Sequence, residues 1–480
     1  MTNPEISLET VKSRSVKGVL TLTGRTLILN LISFAAQSFL WAFLSPAEFG
    51  TFWIVSAVVN FLAYFGDIGL AAALIQKKES PTDSDLKTTF TIQQGLVLTL
   101  LVILFVLTPL ISGRYQLTPG GTYLLYALGI SFLLSSLKSI PSILLERELE
   151  FGKLVIPQVL ETMIYSVSVV YFAWEGYGIT SFTYSVLIRG VIGLVLIYIL
   201  KPWRPGLTLS FSSLKSLLKF GLPYQINTFL AVLKDDGMTV ILGGILGASG
   251  MGILGTARKL AQYPLRFFMD NVTKVTFPAF SRMQDNKDDL KRALEKSIFF
   301  ITFLVLPSIV GLTIISPILV NVIPRYEKWI PALIPLAILA VDTVFASVTT
   351  QLTNVLNAVG KIKITFYLMI MWTVLAFALV PVLSIKYEVI GAAIGFAGVS
   401  ASSIIAIVIA RRHVDFSLMA SFGKPLIASI VMGITLLVVR QFLPINYYSL
   451  VILILIGVGV YGVFFFRYVK ENIANIFGRA

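Results

Sequence analysis

Predominantly apolar runs of about 20 residues recur along almost the whole chain. A helix rises 1.5 Å per residue, so a run of that length crosses the roughly 30 Å hydrocarbon core of a bilayer. Inside that core backbone groups must be satisfied within the protein, which a helix achieves within one segment. Only 13% of the residues are charged, against about 25% in soluble domains. The sequence therefore predicts an all-α polytopic membrane protein with about 14 transmembrane helices.

The two parts of the chain repeat each other at an offset of about 200 to 210 residues. Each half of the repeat holds an even number of predicted spans, so both halves have the same orientation. This predicts two six-helix lobes related by a pseudo-twofold axis along the membrane normal, with two further helices at the C-terminus. The matching segments are 44–50 with 246–252, 65–67 with 268–270, 85–87 with 289–291 and 152–154 with 360–362.

The repeat also predicts the domain boundaries. We expect an N-lobe at 1–200, a cytoplasmic linker at 201–218, a C-lobe at 219–411, and the last two helices with a tail at 412–480. Within the linker helix, Leu214, Leu217 and Leu218 are expected to form an apolar face that lies on the bilayer.

Basic residues are concentrated in alternate loops between the predicted spans. Roughly 25 lie in one set of loops and about five in the other, so the positive-inside rule predicts cytoplasmic termini. The net charge of +14 then reflects membrane orientation rather than a nucleic-acid partner.

The seventh predicted span (219–246) contains Lys234, Asp235 and Asp236. They lie about 22–25 Å into the helix, where each charge costs at least ~2.5–3.5 kcal/mol, so they should face the bundle interior or water. Asp235 and Asp236 are candidates for coupling transport to an ion.

The eighth predicted span (252–279) carries a polar stripe. At 100° per residue, the stripe residues fall within about 60° of Lys259, whereas Leu265 lies on the apolar face and Arg258 is not explained. An excess of cations on one face predicts the wall of an anion-binding cavity. The alternative is a helix in the membrane interface whose basic residues reach water. The stripe consists of Thr256, Lys259, Gln262, Tyr263, Arg266, Asp270, Thr273 and Lys274.

Charged residues also lie within the first six spans. The repeat pairs Asp67 with Asp270, so the two lobes are expected to present matched acids. Lys138 and Glu161 on successive spans have two interpretations, a functional pair or a structural ion pair. These charged residues are Arg25, Asp67, Lys138, Glu161 and Arg189.

Several kinds of site are excluded or disfavoured. The chain has no cysteine and one histidine, His413, so thiolate chemistry and Cys/His metal sites are excluded. The segment Gly250–Gly255 matches G-x-G-x-x-G, but a membrane span precedes it instead of a strand, which favours a tight helix turn. No catalytic residue, metal or cofactor is predicted.

Five segments resemble bacterial polysaccharide exporters. Leu44–Gly50 followed by Asp67–Gln76 is similar to the first helical hairpin of those proteins, and so are Leu145–Phe151, Phe220–Pro223 and Phe277–Arg282. Together they resemble the Wzx-type oligosaccharide flippases of the multidrug/oligosaccharidyl-lipid/polysaccharide (MOP) superfamily, over roughly residues 15–412. The resemblance implies two lobes around a cationic cavity that opens alternately to each side. Where that family carries an acidic residue in the seventh span, this chain has Met238.

We therefore expect a flippase, not an enzyme, that moves a polyprenyl-diphosphate-linked oligosaccharide to the outer leaflet of a bacterial or archaeal cytoplasmic membrane. Its partners would be this substrate, membrane lipids and a glycan polymerase or assembly protein, and it would act as a monomer. A cation-coupled multidrug or peptidoglycan-precursor exporter, and a membrane glycosyltransferase or polymerase, are the alternatives. The candidate substrate-binding residues are Arg25, Asp67, Lys259, Arg266, Asp270 and Lys274.

Overall fold

The computed structural model describes the backbone of residues 8–477. It describes their side chains except those of 8–23, 224, 226, 227, 270, 271, 274, 275 and 467–477. This part of the chain forms α-helices and contains no strand. The helices are α1 Leu8–Phe43, α2 Pro46–Ala63, α3 Leu70–Gln76, α4 Asp83–Tyr115, α5 Pro119–Leu137, α6 Ser139–Arg147, α7 Phe151–Trp174, α8 Thr180–Leu200, α9 Phe211–Val232, α10 Met238–Arg282, α11 Lys287–Val322, α12 Leu333–Ala358, α13 Ile362–Ala401, α14 Ser403–Arg411, α15 Leu418–Phe442 and α16 Tyr447–Phe477.

Among the described residues, 12 helical segments are long and apolar enough to cross a membrane. Two of them, Thr228–Met269 and Ile362–Arg411, have 42 and 50 residues, or about 63 and 75 Å, enough for two crossings each. Both are interrupted by non-helical backbone, at Gly247 (φ 66°) and at Tyr387 and Glu388. The predicted all-α membrane fold is confirmed, and its helices agree with about 14 spans.

The chain separates into two compact units, Met1–Gly252 and Ile253–Ala480. The first contains α1 to α9 and the start of α10, and the second contains the rest. The predicted lobe boundaries rest on which helices of the repeat are equivalent. The division into compact units does not test that equivalence, so the boundaries stay a prediction.

Two repeat-related turn segments of the first unit, 44–50 and 246–252, pack against each other through glycines. A Cβ at Gly50 would lie 1.6 Å from the carbonyl oxygen of Ala248, and one at Gly252 would lie 1.8 Å from that of Pro46. The repeat offset relates 46 to 248 and 50 to 252, so the two contacts are reciprocal. Only glycine permits such an approach of two backbones.

The second predicted span is broken between α2 and α3. A short 3-10 turn at Tyr64–Gly66 is followed by Ile68 (φ 42°) and Gly69 (φ 79°). The Tyr64 hydroxyl donates to the carbonyl oxygen of Gln225, and the Gln225 side chain donates to the carbonyl oxygen of Tyr64. These bonds hold the break against α9.

The linker packs on protein rather than lying on the bilayer through its leucines. The backbone N–H of Thr208 donates to Thr91 at 3.0 Å and that of Ser210 to Thr88 at 3.1 Å. Leu217 is buried in a cluster with Leu70, Leu74 and Phe90, and Leu214 and Leu218 pack against it. The expectation of a bilayer-facing leucine surface is wrong, because the short helix α3 leaves apolar side chains that these leucines cover.

The second unit has its core around α11 and α12. Leu294 and Ile298 of α11 are fully buried against Leu352 and Val355 of α12. The two helices outside the repeat, α15 and α16, pack on the other end of α11 through Met432 and other apolar residues.

Candidate substrate-binding site

The second-unit part of α10 has a buried face and a polar face, as predicted. Ala257, Ala261, Leu265 and Met269 are buried, whereas Lys259 is partly buried and Arg266 is exposed. A spanning helix with an exposed arginine opposite a buried apolar stripe has a fixed rotation. The side chains of Asp270 and Lys274 lie outside the described residues.

Contacts with α11 and α12 set this rotation. Leu265 and Met269 pack against Ile301 and Val305 of α11. The Thr343 hydroxyl of α12 donates to the carbonyl oxygen of Ala261 at 3.0 Å. Because α10 is held along its apolar side, Lys259 and Arg266 point away from the core of the unit.

Hydroxyl groups of α10, one within the stripe and one beyond it, form hydrogen bonds with α12. The Asn354 amide donates to the Thr273 hydroxyl at 3.3 Å, and Thr276 donates to Gln351 at 3.4 Å. Thr256 is almost completely buried. Some hydroxyl groups of the stripe therefore contribute to helix packing, whereas Arg266 is an exposed charge.

Arg258, which the stripe does not explain, has a partner on α13. The centre of its guanidinium lies 4.4 Å from the Phe396 ring centroid, a distance typical of a cation–π contact. Sequence periodicity carries no signal for this pair, which is 138 positions apart in the numbering.

In the first unit, Arg25 contacts α7. Its guanidinium donates to the Gln158 side chain, and its Nε atom is buried with no hydrogen-bond partner among the described residues. Gln158 was not predicted from the sequence, since a single glutamine in a span carries no periodic signal.

Asp67 stabilises the start of α3. Its Oδ1 accepts from the Gln93 amide at 2.6 Å and from the backbone N–H of Ala71 at 3.1 Å. A carboxylate at a helix N-terminus satisfies donors that have no partner in the helix. The roles of Asp67 and Asp270 toward a substrate stay predictions.

Asp235 and Asp236 lie in a π-helical segment, Leu233–Gly237, between α9 and α10. The Asn60 side chain lies beside Asp236, and Asp235 lies 3.7 Å from the Lys234 ammonium. Single-turn π segments occur frequently at functional sites. A role in ion coupling stays a prediction.

Lys138 and Glu161 form the predicted pair. Lys138 Nζ lies 2.8 Å from Glu161 Oε1, and Arg189 Nε lies 3.6 Å from Oε2. The sequence indicated all three charges but not that Arg189 joins the pair.

An apolar groove of about 460 Å³ lies between α11, α15 and α16 in the second unit. Its walls include Pro307, Gly311, Met432, Leu453 and Gly457. A groove of this composition suits a hydrocarbon chain better than a polar ligand.

Several proteins named for polysaccharide export or biosynthesis are similar to this chain. The "Lipopolysaccharide biosynthesis protein WzxC" of Escherichia coli is 25% identical over 393 residues, which are 80% of this chain and 77% of that protein. The "Succinoglycan biosynthesis transport protein ExoT" of Rhizobium meliloti is 24% identical over 309 residues, 64% of this chain and 61% of that protein.

Solved structures share the fold. "Lipid II flippase MurJ, inward closed conformation" has a TM-score of 0.77 at 18% identity, covering 94% of this chain and 99% of that one. A MOP superfamily transporter from Pyrococcus furiosus has a TM-score of 0.53 at 16% identity, covering 82% and 95%. Residues 40–333, more than half of the chain, match the family described as "Polysaccharide biosynthesis protein". The predicted resemblance is confirmed: the chain belongs to this polysaccharide biosynthesis family and has the fold of MOP superfamily transporters.

Proposed function

We propose that this protein moves a polyprenyl-diphosphate-linked oligosaccharide from the cytoplasmic to the outer leaflet by alternating access. Its family and its fold support a transporter rather than an enzyme. We place it in a bacterial or archaeal cytoplasmic membrane, with both termini in the cytoplasm. We further propose that it acts as a monomer beside a glycan polymerase or assembly protein.

The observation that carries the proposal is the polar face of α10. Arg266 is exposed and Lys259 is partly buried on the side opposite Leu265. The two cations are seven residues apart, or about 10 Å along the helix. A diphosphate in a membrane needs cations in a medium of low dielectric constant, and a guanidinium binds it through two parallel hydrogen bonds.

The groove between α11, α15 and α16 supports the part of the proposal that concerns the lipid chain of the substrate. Its lining side chains are almost all apolar. An isoprenoid chain that entered it would keep its contacts apolar while the diphosphate lies in a polar site.

The membrane potential is sufficient to drive the proposed transport outward. Moving two negative charges outward across ~100 mV, inside negative, is worth about 4.6 kcal/mol. The proposed transport therefore requires no cofactor.

Replacement of the cations tests the proposal. Arg266→Ala should remove a charge-assisted contact of ~1.5–3 kcal/mol, which is roughly ten- to hundredfold in affinity. Arg266→Lys should rescue only part of the loss, because an ammonium cannot reproduce the planar fork. The measurement is export of lipid-linked glycan in cells at matched protein levels, with Lys259→Ala alongside.

Leu265→Ala is the matched control on the opposite face of the same helix. Since Leu265 packs against Ile301 and Val305, its truncation should lower protein stability more than transport per molecule. Export at the parent rate by both Arg266→Ala and Lys259→Ala, with failure of Leu265→Ala, would contradict a substrate role for the α10 stripe.

A further inference from the structure

Glu161 on α7 is a buried carboxylate shared by two cations. Its side chain is 9% exposed, and it contacts Lys138 at 2.8 Å and Arg189 at 3.6 Å. Gly193 on α8 makes room for it, since a Cβ there would lie 2.0 Å from Glu161 Oε1. One carboxylate neutralises one of the two cations, so the triad keeps an excess positive charge.

Arg189 lies near the middle of the spanning helix α8, Thr180–Leu200. The exposed apolar residues of α8, which are Tyr184, Val191, Val195 and Ile199, are centred about 125° away around the helix. The residues beside Arg189, such as Phe182 and Gly193, are buried. Nevertheless the Arg189 side chain is 48% exposed. A charge at that depth is too costly to place against hydrocarbon, which favours polar surroundings for the Arg189 guanidinium.

The terminal nitrogens of Arg189 are available to a ligand. Within the described part of the chain, Arg189 pairs with Glu161 through Nε and lies 5.8 Å from the Tyr165 ring centroid, and its terminal nitrogens have no hydrogen-bond partner. The Nε atom of Arg189 is thus directed toward Glu161, and the terminal nitrogens can donate to another acceptor.

Arg25 approaches the same face of α7 one turn away. It donates to Gln158, which precedes Glu161 by three residues and is therefore its neighbour on the helix surface, about 5–6 Å apart at Cβ. The Nε of Arg25 is buried with no hydrogen-bond partner among the described residues. Two cations, Lys138 and Arg189, thus contact Glu161, and a third, Arg25, contacts α7 about one turn away.

We propose that the first unit contains an oxyanion site of its own, in which Arg189 and Arg25 bind phosphate oxygens. Glu161 is a positioning residue that, paired with Lys138, orients the Arg189 guanidinium. The ligand is the diphosphate of the lipid-linked substrate, and in this assignment the site rests on the proposed function. A partly buried cluster with uncompensated positive charge is costly by itself, and a phosphate anion reduces that cost.

The absence of native cysteine permits a direct test with inorganic pyrophosphate as the probe. The purified full-length chain in phosphatidylcholine nanodiscs is compared with Arg189→Cys. We expect pyrophosphate affinity to fall at least about tenfold. Modification of the new thiol with 2-aminoethyl methanethiosulfonate should restore most of it, whereas the sulfonatoethyl reagent should not. Lys153→Cys is the control, because it removes one cation from a solvent-exposed pair at the start of the neighbouring helix α7.

Equal binding by the two adducts, or parent-like binding by Arg189→Cys, would overturn the site and leave a structural ion triad. The role of Glu161 is tested by Glu161→Gln. If Glu161 is only a counter-ion, its neutralisation makes the cluster more positive and tightens pyrophosphate binding. If it positions Arg189, binding weakens despite the added positive charge, and Glu161→Asp rescues part of it.

Competition identifies the source of the phosphate. A short polyprenyl diphosphate should displace pyrophosphate at lower concentration than phosphatidylglycerol does, and the reverse order would overturn the assignment to the substrate. The site and the proposed function can fail separately. Pyrophosphate binding through Arg189 without glycan export in cells refutes only the proposed function. If the parent protein exports glycan, and Arg189→Cys exports glycan and binds pyrophosphate as the parent does, only the site is refuted.

Discussion

Arg147 binds several backbone carbonyls in the last turn of α3 and just beyond its end. Its guanidinium donates to the carbonyl oxygens of Ile75 at 3.1 Å, Lys77 at 2.7 Å and Glu79 at 3.0 Å. Helix α3 ends at Gln76, so these include carbonyls that have no partner within the helix. A cation there also complements the helix dipole.

Arg147→Gln is therefore expected to destabilise the protein. Hydrogen bonds to a charged group contribute about 1.5–3 kcal/mol, and the partly buried Lys77 carbonyl would lose its donor. The check is the melting temperature of the purified protein in detergent. Arg292→Gln is the control, because Arg292 forms an exposed pair with Asp289 of the kind that is worth ~0–1 kcal/mol. Equal melting temperatures for the two variants would contradict the role of Arg147.

At the scale of elements, the two repeat-related turn segments of the first unit, 44–50 and 246–252, meet where their backbones touch. The contacts of Gly50 with Ala248 and of Gly252 with Pro46 leave no space for a side chain. The α2 end of this contact is rigid, because Ser45 and Glu48 form a reciprocal capping box.

Gly50→Ala should force the two turn segments apart and cost about 1–3 kcal/mol, as overpacking does. Gly252→Ala should have a similar effect, and the double variant should cost less than the sum, since both disturb one interface. Melting temperatures measure all three. Gly95→Ala on α4 is the matched control: a Cβ there meets nothing within 4 Å, so it should be neutral or slightly stabilising. Additive losses from Gly50→Ala and Gly252→Ala would indicate two independent contacts.

The π-helical segment Leu233–Gly237 is the other distinctive element, because it directs two carboxylates from one wide turn. If Asp235 and Asp236 carry a coupling ion, neutralising both to asparagine should abolish any dependence of transport on a Na⁺ or proton gradient. Transport driven by voltage should persist. The measurement is substrate movement in vesicles at a clamped potential. A gradient dependence that survives the double substitution would assign the coupling ion to other residues and leave the pair a structural role beside Asn60 and Lys234.

At the scale of the whole molecule, the alternation of basic loops predicts which ends of the helices face the cytoplasm. Single cysteines in the cysteine-free chain should react with a membrane-impermeant thiol reagent on intact cells at positions 175 and 325, and not at 78, 215 and 287. The same reagent added to inside-out vesicles should give the opposite pattern. Labelling of position 78 or 287 from outside would reverse the predicted topology.

The sequence by itself determined the features that follow directly from the constraints of a bilayer. Apolar runs of fixed length became spanning helices, since hydrocarbon leaves the backbone no other partners. The 3.6-residue period placed Leu265 and Arg266 on the buried and polar sides of α10. Adjacency of spans was enough to pair Lys138 with Glu161. These inferences use local periodicity and chain order alone.

Tertiary structure decided which residues meet across helices. The contacts of Arg189 with Glu161, of Arg25 with Gln158, of Arg258 with Phe396 and of Arg147 with the carbonyls after α3 join positions far apart in the chain. The linker leucines face a protein cluster instead of lipid for the same reason. Each depends on how a helix is rotated and on which neighbour it packs against. Hydrophobic periodicity distinguishes the apolar face of a helix from the polar one, but a lipid-facing leucine and a core leucine are equally apolar, so only packing separates them.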